Sequence, residues 1–168
     1  MPIVKLFLDI CLFRKGPQDV PLSKPLLTLT LIFALMASTL ISLMEVGFFQ
    51  ALVQSTCATL LLVGYFAGLL KIAGRSPRLP QTLIAALAAD GVITAVAFPL
   101  FLVSLVVPEW QGGASLMLVA MMLWELAVLG HIIQQALGFS RFGPGLGLAL
   151  VYTTLSMRIM MGLFPPLT

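Results

Sequence analysis

The stretch Leu26–Met44, LLTLTLIFALMASTLISLM, decides the fold class. It holds no charge and no proline, and it is as long as the roughly 20 apolar residues a helix needs to cross a hydrocarbon layer about 30 Å thick. Working outward, Ala51–Leu70 repeats the pattern without a charge. Thr82–Val107, Ala114–Leu137 and Gly145–Phe164 repeat it with one or two ionisable residues each. Composition agrees: 60% of the 168 residues are hydrophobic and 9% are charged, against roughly 25% charged in an average soluble domain. Mean hydropathy is +1.12. The predicted fold is an all-α integral membrane protein. A bundle of five transmembrane helices fills residues 26–168, after a short interfacial amphipathic helix at 1–13 and a junction at 14–25.

The net charge of +3 takes its meaning from position. Lys5, Arg14, Lys15 and Lys24 precede the first span; Lys71, Arg75 and Arg78 separate the second and third; Arg141 separates the fourth and fifth. The opposite loops, Glu45–Gln50 and Pro108–Gly113, carry Glu45 and Glu109 and no Lys or Arg. The positive-inside rule then predicts a cytoplasmic N-terminus and an outer C-terminus in a multi-pass protein, of the cytoplasmic membrane if the source is bacterial. The partners this implies are the bilayer, with anionic lipids at the cytoplasmic face, and a membrane protein or a second copy of the chain. Nucleic acid is not among them. The start does not read as a cleavable signal peptide, because Lys5 and Asp9 interrupt its apolar run.

Ile3–Phe13, IVKLFLDICLF, is too short to span. Lys5 and Asp9, four apart, share one helical face, which predicts a helix lying in the interface and orienting the first span. Three basic segments then look alike: RKGPQDVPLSKP from Arg14, KIAGRSPRLP from Lys71 and SRFGPG from Ser140. In each, Gly and Pro stop one helix and turn the chain towards the next, while the cations sit at lipid phosphates or meet a partner. In the first, Gly16 and Pro17 make the corner, and Asp19 either caps a turn or receives a partner's Arg. Cys11 and Cys57 have no C-x-x-C spacing, and neither a disulfide nor a thiolate metal site is expected.

Small residues four apart let helix backbones approach closely in a bilayer. Gly64 and Gly68, Gly143 and Gly147, the stripe Ala34, Ser38 and Ser42, and the pair Ala85 and Ala89 are therefore expected to pack the bundle internally. Gly91 and Pro99 predict a kink or tilt in the third span. Trp110 is placed as a belt residue, and Trp124 as packing.

Asp90, Glu125, His131 and Arg158 lie inside the spans, where an ionised group costs about 2.5–3.5 kcal/mol on insertion scales and needs a partner or a purpose. Depths counted from the cytoplasmic ends of the apolar runs match Glu125 with Arg158 and Asp90 with His131. Two readings stay open: charges neutralised within the bundle or by a partner subunit, or groups of a proton or ion pathway. There is no H-E-x-x-H, no G-x-S-x-G and no P-loop, and the chain has one histidine. No enzyme, cofactor or metal is expected. The leading expectation is a non-enzymatic interaction, assembly or membrane-organising component, such as an accessory subunit of a larger membrane complex. The alternative is a proton- or ion-coupled transporter or channel subunit.

The five-span layout, Gly16-Pro17 before the first span, the G-x-x-x-G-L-L of Gly64 to Leu70, and Trp124-Glu125-Leu126-Ala127-Val128 ahead of a Gly-rich start to the last span resemble the Yip-domain membrane proteins and their bacterial relatives. The resemblance implies a polytopic, non-enzymatic protein that acts through lipids or protein partners.

Overall fold

Each apolar run becomes one helix in the computed structural model, which describes residues 3–165. The last three residues of the expected transmembrane domain and the first two of the chain lie outside the described residues. Helix α1 is Ile3–Cys11, α2 Lys24–Ser42, α3 Phe48–Ile72, α4 Leu79–Val106, α5 Gln111–Leu137 and α6 Phe142–Leu163; single 3-10 turns cover Pro17–Asp19, Ser76–Arg78 and Pro108–Trp110. No strand forms among the described residues. Five helices, α2 to α6, are long and apolar enough to cross a membrane.

The helices begin two or three residues before the apolar runs do. Pro25 and Pro80 explain part of this, since a proline in the first helical turn gives up an N–H that has no partner there anyway. Ser23 caps α2, its Oγ accepting from the Leu26 N–H at 3.4 Å. Pro99 does not end α4, which continues through it to Val106.

Helix α4 sits at the centre. It packs against α2 on one side and α5 on another; α5 packs against α6, and α3 closes the ring between α2 and α6. Helix α1 and the Pro17–Asp19 turn lie against α4 and α5 from outside this ring. In consequence the residues from Thr82 to Ala89 are buried without a break. A stretch enclosed on every side has no polar stripe, and this half of α4 has none, whereas Ala95, Val96 and Pro99 beyond it are exposed.

Small residues set the closest approaches, but not all of those expected. A side chain on Gly91 would enter the Phe33 ring, with the Ala34 Cα just beyond, so α2 and α4 meet backbone to backbone there. Ala34, Ala85 and Ala89 are buried as their spacing predicts. Between α5 and α6 the contact is Gly130 on Gly145: a Cβ on Gly145 would run into the Gly130 carbonyl. By contrast Gly64, Gly68, Gly143 and Gly147 face open space, with nothing within 4 Å of where a Cβ would stand. Helix phase is the reason. The buried stripe of α3 runs Ala51, Ser55, Thr59, Leu62, Phe66 and Leu70, and Gly64 and Gly68 stand two residues, about 200°, away from it. The same offset separates Gly143 and Gly147 from buried Gly145 and Ala149.

The likeness of the three basic segments also has a structural cause. Helices α1, α3 and α5 each end in the same way, with a residue in the left-handed region and a bond from the following N–H back to a carbonyl five residues earlier: Arg14 to Asp9, Arg75 to Leu70, and Phe139 to Gln134. The left-handed residues are Phe13, Gly74 and Gly138, with φ of 61°, 67° and 64°. Two of the three are glycine, which adopts this conformation freely; Phe13 does so at a cost on the order of 1 kcal/mol.

Gly145→Ala is expected to push α5 and α6 apart and destabilise the protein by about 1–3 kcal/mol, the usual cost of overpacking a tight contact. Gly64→Ala is expected to leave stability unchanged. Thermal unfolding of the two variants side by side in detergent checks the contrast.

Candidate functional site

The ionisable residues inside the spans do not pair as their depths in the apolar runs suggest. Counted along the true helix, Asp90 is eleven residues from Leu79, about 17 Å, and Glu125 is twelve from Leu137, about 18 Å, so the two carboxylates stand level. They are within electrostatic reach of one another across α4 and α5. Tyr152 of α6 lies within reach of both. Its ring packs on that of Tyr65 from α3, with centroids 5.2 Å apart, and the Tyr65 hydroxyl donates to the Leu148 carbonyl at 2.7 Å. Four helices thus bring two acids and two phenols into one region of the bundle, with the two phenol rings in contact. Glu125 also borders a crevice of about 190 Å³ between α2, α4 and α5, among Ile41, Ile93, Thr94, Leu118 and Met121.

Arg158 is exposed. It stands nine residues from buried Ala149, which turns it about 180° to the far side of α6, away from Glu125. Five residues from the end of α6 at Leu163, its long side chain can extend past the helix end. The expected Glu125–Arg158 pair does not form, and Glu125 instead stands level with Asp90.

His131 turns to a different neighbour as well. Its Nε2 is 3.0 Å from the Lys15 carbonyl, and its ring meets the edge of Phe13 at a centroid distance of 5.4 Å. Trp124 lies on the same face of α5, two turns away, and its indole N–H donates to the Cys11 carbonyl at 3.0 Å. Gln135 continues the stripe, its Oε1 accepting from Gln18 Nε2 at 3.4 Å. Residues 11–18 thus run along α5 in step with Trp124, His131 and Gln135. The spacing of charges alone does not announce this docking, yet a signal exists: three hydrogen-bonding side chains at spacings of seven and four on an otherwise apolar helix mark one face.

Helix α1 turns its acid inward. Asp9 is buried with Leu6, Ile10 and Cys11, and its carboxylate is 3.9 Å from Lys15 Nζ. Lys5, expected beside Asp9 on a polar face, is exposed. Asp19 has the capping role: its Oδ2 accepts from the Gly16 N–H at 2.9 Å, fixing the corner made by Gly16 and Pro17, both buried.

At the same end of the bundle Arg78 Nη1 donates to the Ala136 carbonyl at 3.2 Å, and Arg75 Nη1 approaches it at 3.4 Å. Both cations sit at the C-terminus of α5, where the helix dipole and unpaired carbonyls favour positive charge. Gln81 Nε2 donates to the Val20 carbonyl at 3.0 Å. These groups frame a polar crevice of about 210 Å³ lined by Pro17, Gln18, Arg78, Gln81, Thr82 and Gln135. Arg14, Lys24, Lys71 and Arg141 are exposed around it or near other helix ends. The basic residues outside the spans thus split into two that cap a helix, one paired with Asp9, and several exposed.

Both cysteines are free thiols. Burial pushes the Cys11 thiol up to about 11, so it stays protonated and poorly nucleophilic at neutral pH. The chain matches no family model, no curated protein sequence and no solved structure.

Trp124→Phe leaves the Cys11 carbonyl without its donor, at a cost of about 1–3 kcal/mol. The amides of Leu12 to Gly16 are expected to exchange with solvent about tenfold or more faster, with those of α6 unchanged, in hydrogen exchange read by mass spectrometry. In the wild-type protein at pH 8, Cys11 is expected to resist alkylation until the fold is opened with denaturant.

Proposed function

We propose that the chain is a multi-pass integral membrane protein, its basic end in the cytoplasm against anionic lipid, that acts without catalysis as an interaction or assembly component. Its contact face is formed by α3 and α6, and the partner is another membrane protein or a second copy of the chain. One observation carries this reading: Gly64 and Gly68 on α3 and Gly143 and Gly147 on α6 have the spacing of tight helix packing, yet no described residue of this chain packs on them. Glycine is a poor helix former, and a lipid-facing helix gains nothing from it. A partner helix that approaches this closely does. The reading is also the role implied by the resemblance to Yip-domain proteins.

A second reading, proton- or ion-coupled transport, draws on the level pair Asp90 and Glu125. Two carboxylates that share a cluster with Tyr152, and that have lost the cations expected beside them, are suited to taking up a proton or a cation from elsewhere.

Leucine at Gly64, Gly68 and Gly147 fills space that is open in the single chain, so the fold is expected to survive. Association is expected to weaken at least tenfold, about 1.4 kcal/mol, in copurification from native membranes and in crosslinked oligomer yield. Unchanged association in a variant of wild-type thermal stability removes the α3 and α6 face from the proposal. For the second reading, Asp90→Asn is expected to abolish proton flux in reconstituted vesicles; absence of flux in the wild-type protein removes it.

A further inference from the structure

The N-terminal segment turns apolar side chains outward that a helix at a water surface would bury. Ile3, Val4, Leu8, Leu12 and Phe13 are exposed beside Lys5, whereas Asp9 points into the protein towards Lys15, among buried Leu6, Ile10 and Cys11. A helix at an aqueous boundary keeps its charge outside and its apolar side chains in; one surrounded by hydrocarbon does the opposite.

Depth along α5 gives the same answer. Gln135, beside Gln18, is two residues from the basic end of α5 at Leu137. His131, beside Lys15, is six residues in, and Trp124, which holds Cys11, is thirteen residues in, about 20 Å along the axis. The chain therefore climbs from the middle of α5 at Cys11 to its end at Gln18.

The end of α1 and the N–H groups that follow it are paired within the protein. The last four carbonyls of a helix normally turn to solvent. Here Leu8 accepts from Leu12, Asp9 from Arg14 and Lys15, Ile10 from Phe13, and Cys11 from the Trp124 indole. Each N–H from Leu12 to Gly16 donates within the protein. Irregular backbone at membrane depth is tolerated only when its polar groups are satisfied in this way.

We infer that residues 3–20 form a re-entrant element that enters and leaves the bilayer at the basic end, with α1 seated on the outside of α4 and α5 and its apolar face against lipid acyl chains. The inference rests on the five-span membrane reading and adds a sixth, non-crossing insertion to it. Lys5 and Arg14, both exposed, carry their charges on long stems, which allows an amphipathic side chain to place its charge away from an apolar surface. Phe13, in the left-handed region, has its ring edge-on to that of His131.

The test uses the full chain, with Cys11→Ala and Cys57→Ala, reconstituted in vesicles of phosphatidylcholine and phosphatidylglycerol. Spin labels are attached singly through Leu8→Cys, Leu12→Cys, Gln18→Cys and, as a mid-span reference on α6, Leu155→Cys. Collision with oxygen reports acyl chains, and collision with a water-soluble nickel chelate reports solvent. At positions 8 and 12 the expected result is oxygen access like that of position 155 and about tenfold less nickel access than at position 18, as for sites within the hydrocarbon. High nickel access at 8 and 12, with position 155 still in lipid, overturns the inference and leaves the five-span reading standing. Low access to both reagents at 8 and 12 means protein covers α1, which also overturns it. Solvent access at position 155 defeats the membrane reading itself. Leu8→Trp, quenched by lipids brominated on their acyl chains, repeats the measurement with both cysteines retained.

Discussion

Thr82 to Ala89 can be buried without interruption only if something covers the side of α4 that faces away from the ring of long helices. Helices α2 and α5 close two sides, and the third is closed by α1 and the turn Pro17–Asp19. The rest of the molecule follows from that enclosure. Because the cover is a short helix followed by irregular chain, its carbonyls need donors, and α5 supplies them from Trp124 and His131. Because α5 spends one face on that task, Glu125, six residues from His131 and so about 120° round, is left to face Asp90 and Tyr152.

The long helices were legible in the sequence because insertion length is a local property: an apolar run either is or is not long enough. The pairing of charges was not legible, because it depends on helix phase and on where each helix truly starts. Asp90 counted from Thr82 falls level with His131; counted from Leu79 it is level with Glu125. The three residues of difference come from polar or proline-bearing first turns, which are helical without being apolar. Glycine spacing had the same limit. The spacing of Gly143 and Gly147 matches that of a packing stripe, but Gly145, between them, is the residue that α5 touches. Composition identifies a small-residue face; only the neighbouring buried stripe identifies whether it turns inward.

The kinship of the three basic segments illustrates the opposite case, in which a pattern was legible and its cause was not. Arg, Gly and Pro recur because three helices end with the same left-handed turn, after which the chain must change direction. In two of these turns glycine relieves the backbone. In the first, Phe13 occupies that place, with its ring edge-on to His131. That a bulky residue stands where glycine would be easier ties the end of α1 to α5 through a side chain as well as through the backbone.

The same economy of faces bears on what the molecule does. Every long helix has a side committed to the bundle, and on α4 the commitment is nearly complete over its first three turns. Helix α6 is the least committed, with Gly145 and Ala149 its buried residues. It also carries an exposed arginine and two outward glycines. Its hold on the bundle is a single close seam against α5, with α3 beside it, and the glycines on its other side leave backbone bare where leucine would cover it. The acids inside the ring and the arginine outside it are separated by the body of α6, so no small adjustment within the chain brings them together. The bare glycines of α3 and α6 lie on a side of the bundle that the described chain leaves open.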